Sequence, residues 1–383
     1  MIHVQAFTLC SALGAGMGAT RQALAANRSG LMPANWPDCD VPCYLGAVNL
    51  PEEVVVPDAF ACRNNRLIEL ALAQDSFLSA LDAVRSTVPS HRIGVVMGTS
   101  TSGIDRTEAA YRHLTEGDHL PAGFLQPRTH NPHSPGDYVA HRLGIHGPCL
   151  TVSAACASSA KVFAVAQRWL TQELVDAVVV GGADALCLSV IYGFHSLQLV
   201  SPAPCTPFAP DRQGISLGEA AGFVLLTREP APVQLLGAGE SCDAYHMSSA
   251  PPDGLGDRLC MERALAQAGM TMADIDYVNL HGTGTRANDE TEALVCGEMG
   301  APRTVFSATK GFTGHALGAA GIVEAVLVID ALLTGLVPGT CNTRRHEAPF
   351  DLLLESREQS LRTAMSNSFG FGGNNCSLVF ARA

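Results

Sequence analysis

"TVSAACASSA", residues 151–160, sets a single cysteine, Cys156, between a β-branched apolar run and a run able to form a helix, with small residues around it. A strand turning sharply into a helix is the joint of an α/β sheet, and the start of the helix offers unpaired N–H groups and a positive dipole end that favour thiolate over thiol. Cys156 therefore reads either as a nucleophile held where a helix begins or as a small packed thiol, the common fate of a free cysteine.

Outward from this joint the same rhythm recurs. RIGVVMGTS (92–100), CLTVSAA (149–155), DAVVVGGADA (176–185) and AAGFVLLT (220–227) read as buried strands, and residues 157–174 as a helix. In the second half DYVNLHGTG (276–284) and TVFSATK (304–310) end strands, and residues 317–334 read as a helix stopped by Gly335 and Pro338. TAMSNS (363–368) and CSLVFAR (376–382) flank the turn FGFGGNN. The pattern predicts an α/β chain with a weak internal duplication, its helices covering a mostly buried sheet. Residues 228–256 are rich in Pro, Gly and Ser, which places the seam there and divides the chain into 1–235 and 236–383. Residues 101–148, rich in His and Pro, read as an irregular insertion that shapes a binding site or a subunit contact.

The bulk numbers bound the function. The 383 residues are 47% hydrophobic and 16% charged, enough apolar surface for two core-bearing halves. The most apolar long segment, 314–335, contains Glu324 and Asp330, which argues for a core helix over a membrane span. The opening stretch MIHVQAFTLCSALGAG has no basic leader, so a cytoplasmic protein is expected. Thirteen cysteines without a framework or zinc spacing point to reduced thiols and no metal. A net charge of −12 with no basic block disfavours nucleic acid as a partner.

Further residues carry chemistry. His281 opens HGTGT at the end of a strand, where α/β sheets keep their sites, with Thr283 and Thr285 alternating behind it. His315 follows Lys310 in KGFTGHALGAAG, and Glu324 sits in the apolar run GIVEAVLVI. A carboxylate there must be paired or protonated, and Lys310 is its natural partner, whether for structure or for catalysis. The glycines of SFGFGGNN permit close backbone approach, so that Phe371 can offer its N–H to an oxyanion or its ring to a gate.

Taken together, SAACASSA, HGTGT, SATKGFTGHALGAAG and MSNSFGFGG resemble the β-ketoacyl-acyl-carrier-protein synthases of the elongating type, over the whole chain from Met1 to Arg382. The resemblance implies a thiolase-like fold, duplicated halves in a layered α-β-α-β-α arrangement, and a dimer. It implies an acyltransferase performing decarboxylative Claisen condensation, with Cys156 taking the acyl chain and His281 and His315 supporting decarboxylation of malonyl-carrier. Lys310 and Glu324 match the family's supporting pair, and Thr283 and Thr285 its contacts to the phosphopantetheine arm. The N–H groups of Cys156 and Phe371 match the oxyanion hole, and Phe371 with Phe369 the gate. No cofactor is implied beyond the arm of a separate acyl carrier protein. The retained Cys156 separates this chain from chain-length-factor subunits, and the second histidine from the starter-condensing class; thiolase-like transfer between coenzyme A esters fits less well.

Asn374, Ala209 and Gln213 depart from the family's wording, where Thr, Asp and Asp are usual, and bear on the gate and the acyl pocket. VMGTSTSGI (96–104), HMSSAPPDG (246–254) and the compact length resemble the synthases of aryl polyene pathways, in which a catalytic chain pairs with a chain-length-factor chain. A homodimer and such a heterodimer both remain open. Arg63 and Arg66, at helical spacing, and Arg128 are expected to form a basic patch for an acidic carrier, or else an ordinary solvated face.

Overall fold

A computed structural model describes residues 1–115, 117–122, 124 and 126–383. Ten strands build its main sheet: β1 (Ile2–Ser11), β2 (Ile93–Gly98), β3 (Cys149–Val152), β4 (Ala177–Asp184), β5 (Ala220–Thr227), β6 (Val233–Cys242), β7 (Tyr277–Asn279), β8 (Val305–Ser307), β9 (Thr363–Gly370) and β10 (Asn374–Arg382), with a short strand at Gly14–Ala15 folded back on β1. The helices that matter here are α1 (Arg63–Leu72), α2 (Ser134–Leu143), α3 (Ser158–Thr171), α4 (Leu188–Ser196), α5 (Leu255–Ala268), α6 (Arg286–Met299) and α7 (Ala320–Thr334).

The duplication is written in the strand order. The first five strands lie in the order β3-β2-β4-β5-β1 and the second five in the order β8-β7-β9-β10-β6, the same permutation. In both sets the first two pairings are parallel and the last two antiparallel. Among the described residues the sets pair edge to edge through Ile2↔Leu235 and His3↔Gln234.

Side chains on alternate faces sort into separate cores, as the two-residue period of a strand demands. On β5, Val224 and Leu226 face a central core with Phe163 of α3 and Ile322 of α7, while Phe223 and Leu225 face a core with Leu67 and Ile68 of α1 and Tyr138 of α2. On β10, Leu378 and Phe380 join the central core and Val379 an outer one with Met261 and Leu265 of α5. The layers are thus outer helices, sheet, α3 with α7, sheet, outer helices. The apolar stretch around Glu324 becomes α7, the most enclosed helix of this sandwich, buried from Ala320 to Leu332.

Two sequence expectations are refined. The helix expected over 317–334 begins with a 3₁₀ turn at Leu317–Ala319, and Gly335 closes it in the left-handed conformation. The stretch 101–148, expected to be irregular, contains α2 and a helix at Ile104–Arg112. Its His and Pro content masked their periodicity, and Pro135 sits in the first turn of α2, where a missing N–H costs nothing.

Candidate active site

Cys156 sits between β3 and α3, and the turn presenting it is held by its own sequence. Ala155 takes a left-handed φ of +48°, unusual for a residue with a Cβ. Ser158 stabilises that turn, because its Oγ donates to the Ala155 carbonyl at 2.6 Å and accepts the Ala154 N–H at 2.9 Å.

In the second half α7 follows β8 as α3 follows β3, and the two helices cross at close range. A Cβ on Gly321 would fall 2.5 Å from the backbone nitrogen of Ala160, so only glycine permits the approach. At the same crossing the Ile322 N–H donates to Ser159 Oγ at 2.9 Å. The crossing carries the loop before α7 to the start of α3, and His315 Nε2 arrives 3.1 Å from Cys156 Sγ.

Both imidazoles are oriented from behind. The His315 N–H donates to Ser216 at 2.7 Å, its carbonyl accepts from Gly218 at 2.9 Å, and its Nδ1 accepts the Leu317 N–H at 3.0 Å. Lys310 Nζ lies 3.2 Å from Nδ1 of His281 and donates also to the His281 carbonyl and to Glu324. The His281 and Gly282 N–H groups are clasped by Glu292 at 2.7 and 2.8 Å. With Nδ1 accepting in each ring, the remaining hydrogen is on Nε2, so both rings present a donor. Their centroids are 5.5 Å apart, edge to face.

Burial sets the charges. It pushes both histidines well below the ordinary imidazole value, with the Lys310 charge adding to it at each and His315 adding to it at His281, so both are neutral. Burial raises Glu324 to about 7 despite Lys310, and Glu292 to about 7 despite the two N–H groups it accepts. Cys156 is pushed up to about 11 by burial, opposed by Lys310 and by the N–H groups of Phe371 and of Cys156 itself. The thiolate advantage expected from a helix start is therefore outweighed by desolvation, and α3 itself begins two residues later, at Ser158.

The three groups open on a chamber of about 510 Å³ whose wall also includes Thr283, Thr285 and Arg286. The hydroxyls of Thr283 and Thr285 are bonded to each other at 2.9 Å. Phe369 lies against His281 at 5.9 Å between rings, and Phe371 against Phe194 at 5.7 Å, so the two phenylalanines serve different walls. Ligand atoms of Cys156, His281 and His315 lie within 4.8 Å of one another, a composition that suits a soft divalent ion. The donors on both Nδ1 atoms work against that use, since they leave Nε2 protonated where a metal needs a lone pair.

Of the expected docking residues, Arg63 is redirected. Its guanidinium is ion-paired with the fully buried Glu219, bonds the Val48 carbonyl at 3.2 Å and stacks on Trp36, leaving the side chain 24% exposed. Its charge is neutralised internally, so it contributes no free positive charge to a docking patch. Arg66 donates to the carbonyls of Val54 and Pro51, and Arg128 is exposed over the ring of Phe60. Arg286 is exposed on the chamber wall with no ion pair among the described residues, while its neighbour Arg212 is held by Asp289 and Glu290. The sequence reading missed Arg212, Asp289 and Glu292; the carboxylates at 289 and 292, three apart on one face of α6 just after HGTGT, were the available signal. Among the departures, Ala209 is buried and its carbonyl accepts from Arg212, Gln213 lines the chamber, and Asn374 closes the β9–β10 hairpin opposite Gly370.

Comparison with known proteins gives consistent matches. Residues 71–231 match the beta-ketoacyl synthase N-terminal domain and residues 233–344 its C-terminal domain. The 3-oxoacyl-[acyl-carrier-protein] synthase 2 of Vibrio cholerae is 36% identical over 315 residues, 76% of each chain. Nodulation protein E of a Rhizobium strain is 34% identical over 306 residues, again 76% of each. Among solved structures, a ketosynthase (ApeO) in complex with its chain length factor (ApeC) from Xenorhabdus doucetiae is similar with a TM-score of 0.90 and 38% identity, covering 100% of this chain and 98% of that one.

Proposed function

Because this chain belongs to the β-ketoacyl synthase family, we propose that it joins an acyl thioester on Cys156 to malonyl-carrier protein, lengthening a fatty-acid or polyene chain by two carbons. It is a condensing acyltransferase. The observation that supports the residue roles is His315 Nε2 at 3.1 Å from the Cys156 sulfur, with a donor on Nδ1 of each ring that leaves the remaining hydrogen on Nε2.

The steps follow from where negative charge develops. The Cys156 sulfur attacks the acyl thioester on the carrier's arm, the oxyanion is held by the N–H groups of Cys156 and Phe371, and the arm's sulfur leaves with the thiol proton. Malonyl-carrier then takes its place. Its carboxylate departs as carbon dioxide, leaving the bonding pair as an enolate whose oxygen accepts from His281 and His315. That carbon attacks the Cys156 thioester, the second oxyanion collapses, and the Cys156 sulfur is expelled as a thiolate that takes a proton from water to restore the thiol, leaving the β-ketoacyl product on the carrier. Imidazolium rings would be poor donors to keep in so buried a chamber; neutral rings need no counterion there.

The proposal includes a carrier protein that approaches by the wall bearing Thr283, Thr285 and Arg286, which has no ion pair among the described residues, in place of Arg63. It also includes a sister subunit of chain-length-factor type, in a cytoplasmic dimer without a bound cofactor. The outer edge of β3 supports a second chain: Cys149 and Leu150 are exposed on a strand that pairs with β2 and, among the described residues, with no other strand, and an open edge invites pairing. The ketosynthase of similar fold from Xenorhabdus doucetiae was solved with such a factor. His281→Ala and His315→Ala should each slow release of carbon dioxide from malonyl-carrier by about 10²-fold; normal release in both would remove the assigned roles.

A further inference from the structure

We propose that Asp184, at the C-terminal end of β4, is a positioning residue that docks the His315 loop of the second half onto the half that carries Cys156. Its carboxylate is fully buried and accepts from six donors: Thr99 Oγ1, the N–H and Oγ of Ser100, the N–H and Oγ1 of Thr101, and the N–H of Gly318. Five of these belong to the turn after β2 and gather the first half. The sixth, at 2.6 Å, reaches across from the loop that bears His315.

That single cross-half bond sits next to the imidazole. Leu317, whose N–H fixes Nδ1 of His315, holds a left-handed φ of +55°, a conformation a leucine keeps only when its surroundings impose it. Gly318 supplies the imposition: a Cβ there would fall 2.6 Å from Asp184 Oδ2 and 2.6 Å from the Ser100 nitrogen. The Gly318 N–H also meets Ser100 Oγ at 3.2 Å. The line from Asp184 through Gly318 and Leu317 to His315 therefore sets both the tautomer of the ring and its distance from the sulfur.

An amide cannot replace this carboxylate. Oδ1 accepts the Thr101 N–H and Oδ2 accepts the Gly318 N–H, so either orientation of an asparagine turns its NH₂ against a backbone donor. Asp184→Asn should lower kcat for condensation by about tenfold or more with KM for malonyl-carrier nearly unchanged, because a misplaced group costs rate and not binding. Iodoacetamide alkylation, followed on the peptide carrying Cys156, should slow in the same variant, since His315 no longer supports the sulfur that displaces iodide. Ser100→Ala, which removes one Oγ shared by Asp184 and Gly318, should show both effects in smaller measure and decides the matter if Asp184→Asn does not fold. Wild-type kcat and wild-type alkylation in a folded variant would overturn the proposal. The kcat arm rests on the condensing reading above and the alkylation arm does not, so slowed alkylation in a protein that performs no condensation would reject that reading and keep this one.

Discussion

Lys310 Nζ stands 3.2 Å from Nδ1 of His281 while it neutralises Glu324, both partners' side chains being 2% exposed. One buried cation thus fixes the tautomer of a ring and satisfies an acid that would otherwise be stranded. Among the described residues Glu324 Oε2 has no hydrogen-bond partner, so Lys310 is the acid's one partner there.

Lys310→Met should separate the two roles. It should cut decarboxylation by about 10²-fold, since His281 loses the donor that keeps hydrogen on Nε2. It should also destabilise the fold, more at pH 8 than at pH 6, because Glu324, already raised to about 7, takes up a proton on the acid side. Lys310→Met with Glu324→Leu should recover most of the stability in urea unfolding and none of the activity. Recovery of activity in the double variant would assign the pair a structural role only.

The depressed imidazoles make stability depend on pH with a definite sign. An unfolded histidine binds a proton near its ordinary value, about 6.5, whereas folded His281 and His315 refuse it, so the unfolded state binds more protons and stability falls as pH drops below that value. Glu292 and Glu324, raised to about 7, act in the opposite sense, losing their contribution as pH rises toward 7. The difference between wild type and His281→Asn cancels the shared carboxylate effect. Wild type should lose up to about 1.4 kcal/mol relative to the variant for each pH unit below 6.5 in urea unfolding, and a pH-independent difference would contradict neutral burial of His281.

Arg286→Glu should raise KM for carrier-borne substrate by about tenfold at low salt, with the effect shrinking as ionic strength rises. A small acyl thioester lacking phosphate and protein should be turned over as in wild type. An unchanged KM for the carrier substrate would remove Arg286 from the docking face.

Much of this site is legible in the sequence, and the reasons differ residue by residue. Cys156, His281, His315 and Lys310 each sit in a small-residue turn whose wording announces a strand end. The strand order was not legible, because β3-β2-β4-β5-β1 arises from crossovers between segments whose apolar runs look alike. Arg63 and Arg66 share a helical spacing that reads as a basic surface, yet Glu219, 156 residues further along, takes Arg63 into an internal pair. Asp184 was hidden for a similar reason: its six donors come from residues 99–101 and 318, and only the folded chain brings them together.

The most direct test of the account is the intact mass of the protein after incubation with an acyl-carrier thioester. The prediction is one added acyl group, mapped by peptide analysis to Cys156 and absent from Cys156→Ala. An acyl group on another residue, or an adduct that survives in Cys156→Ala, would contradict it.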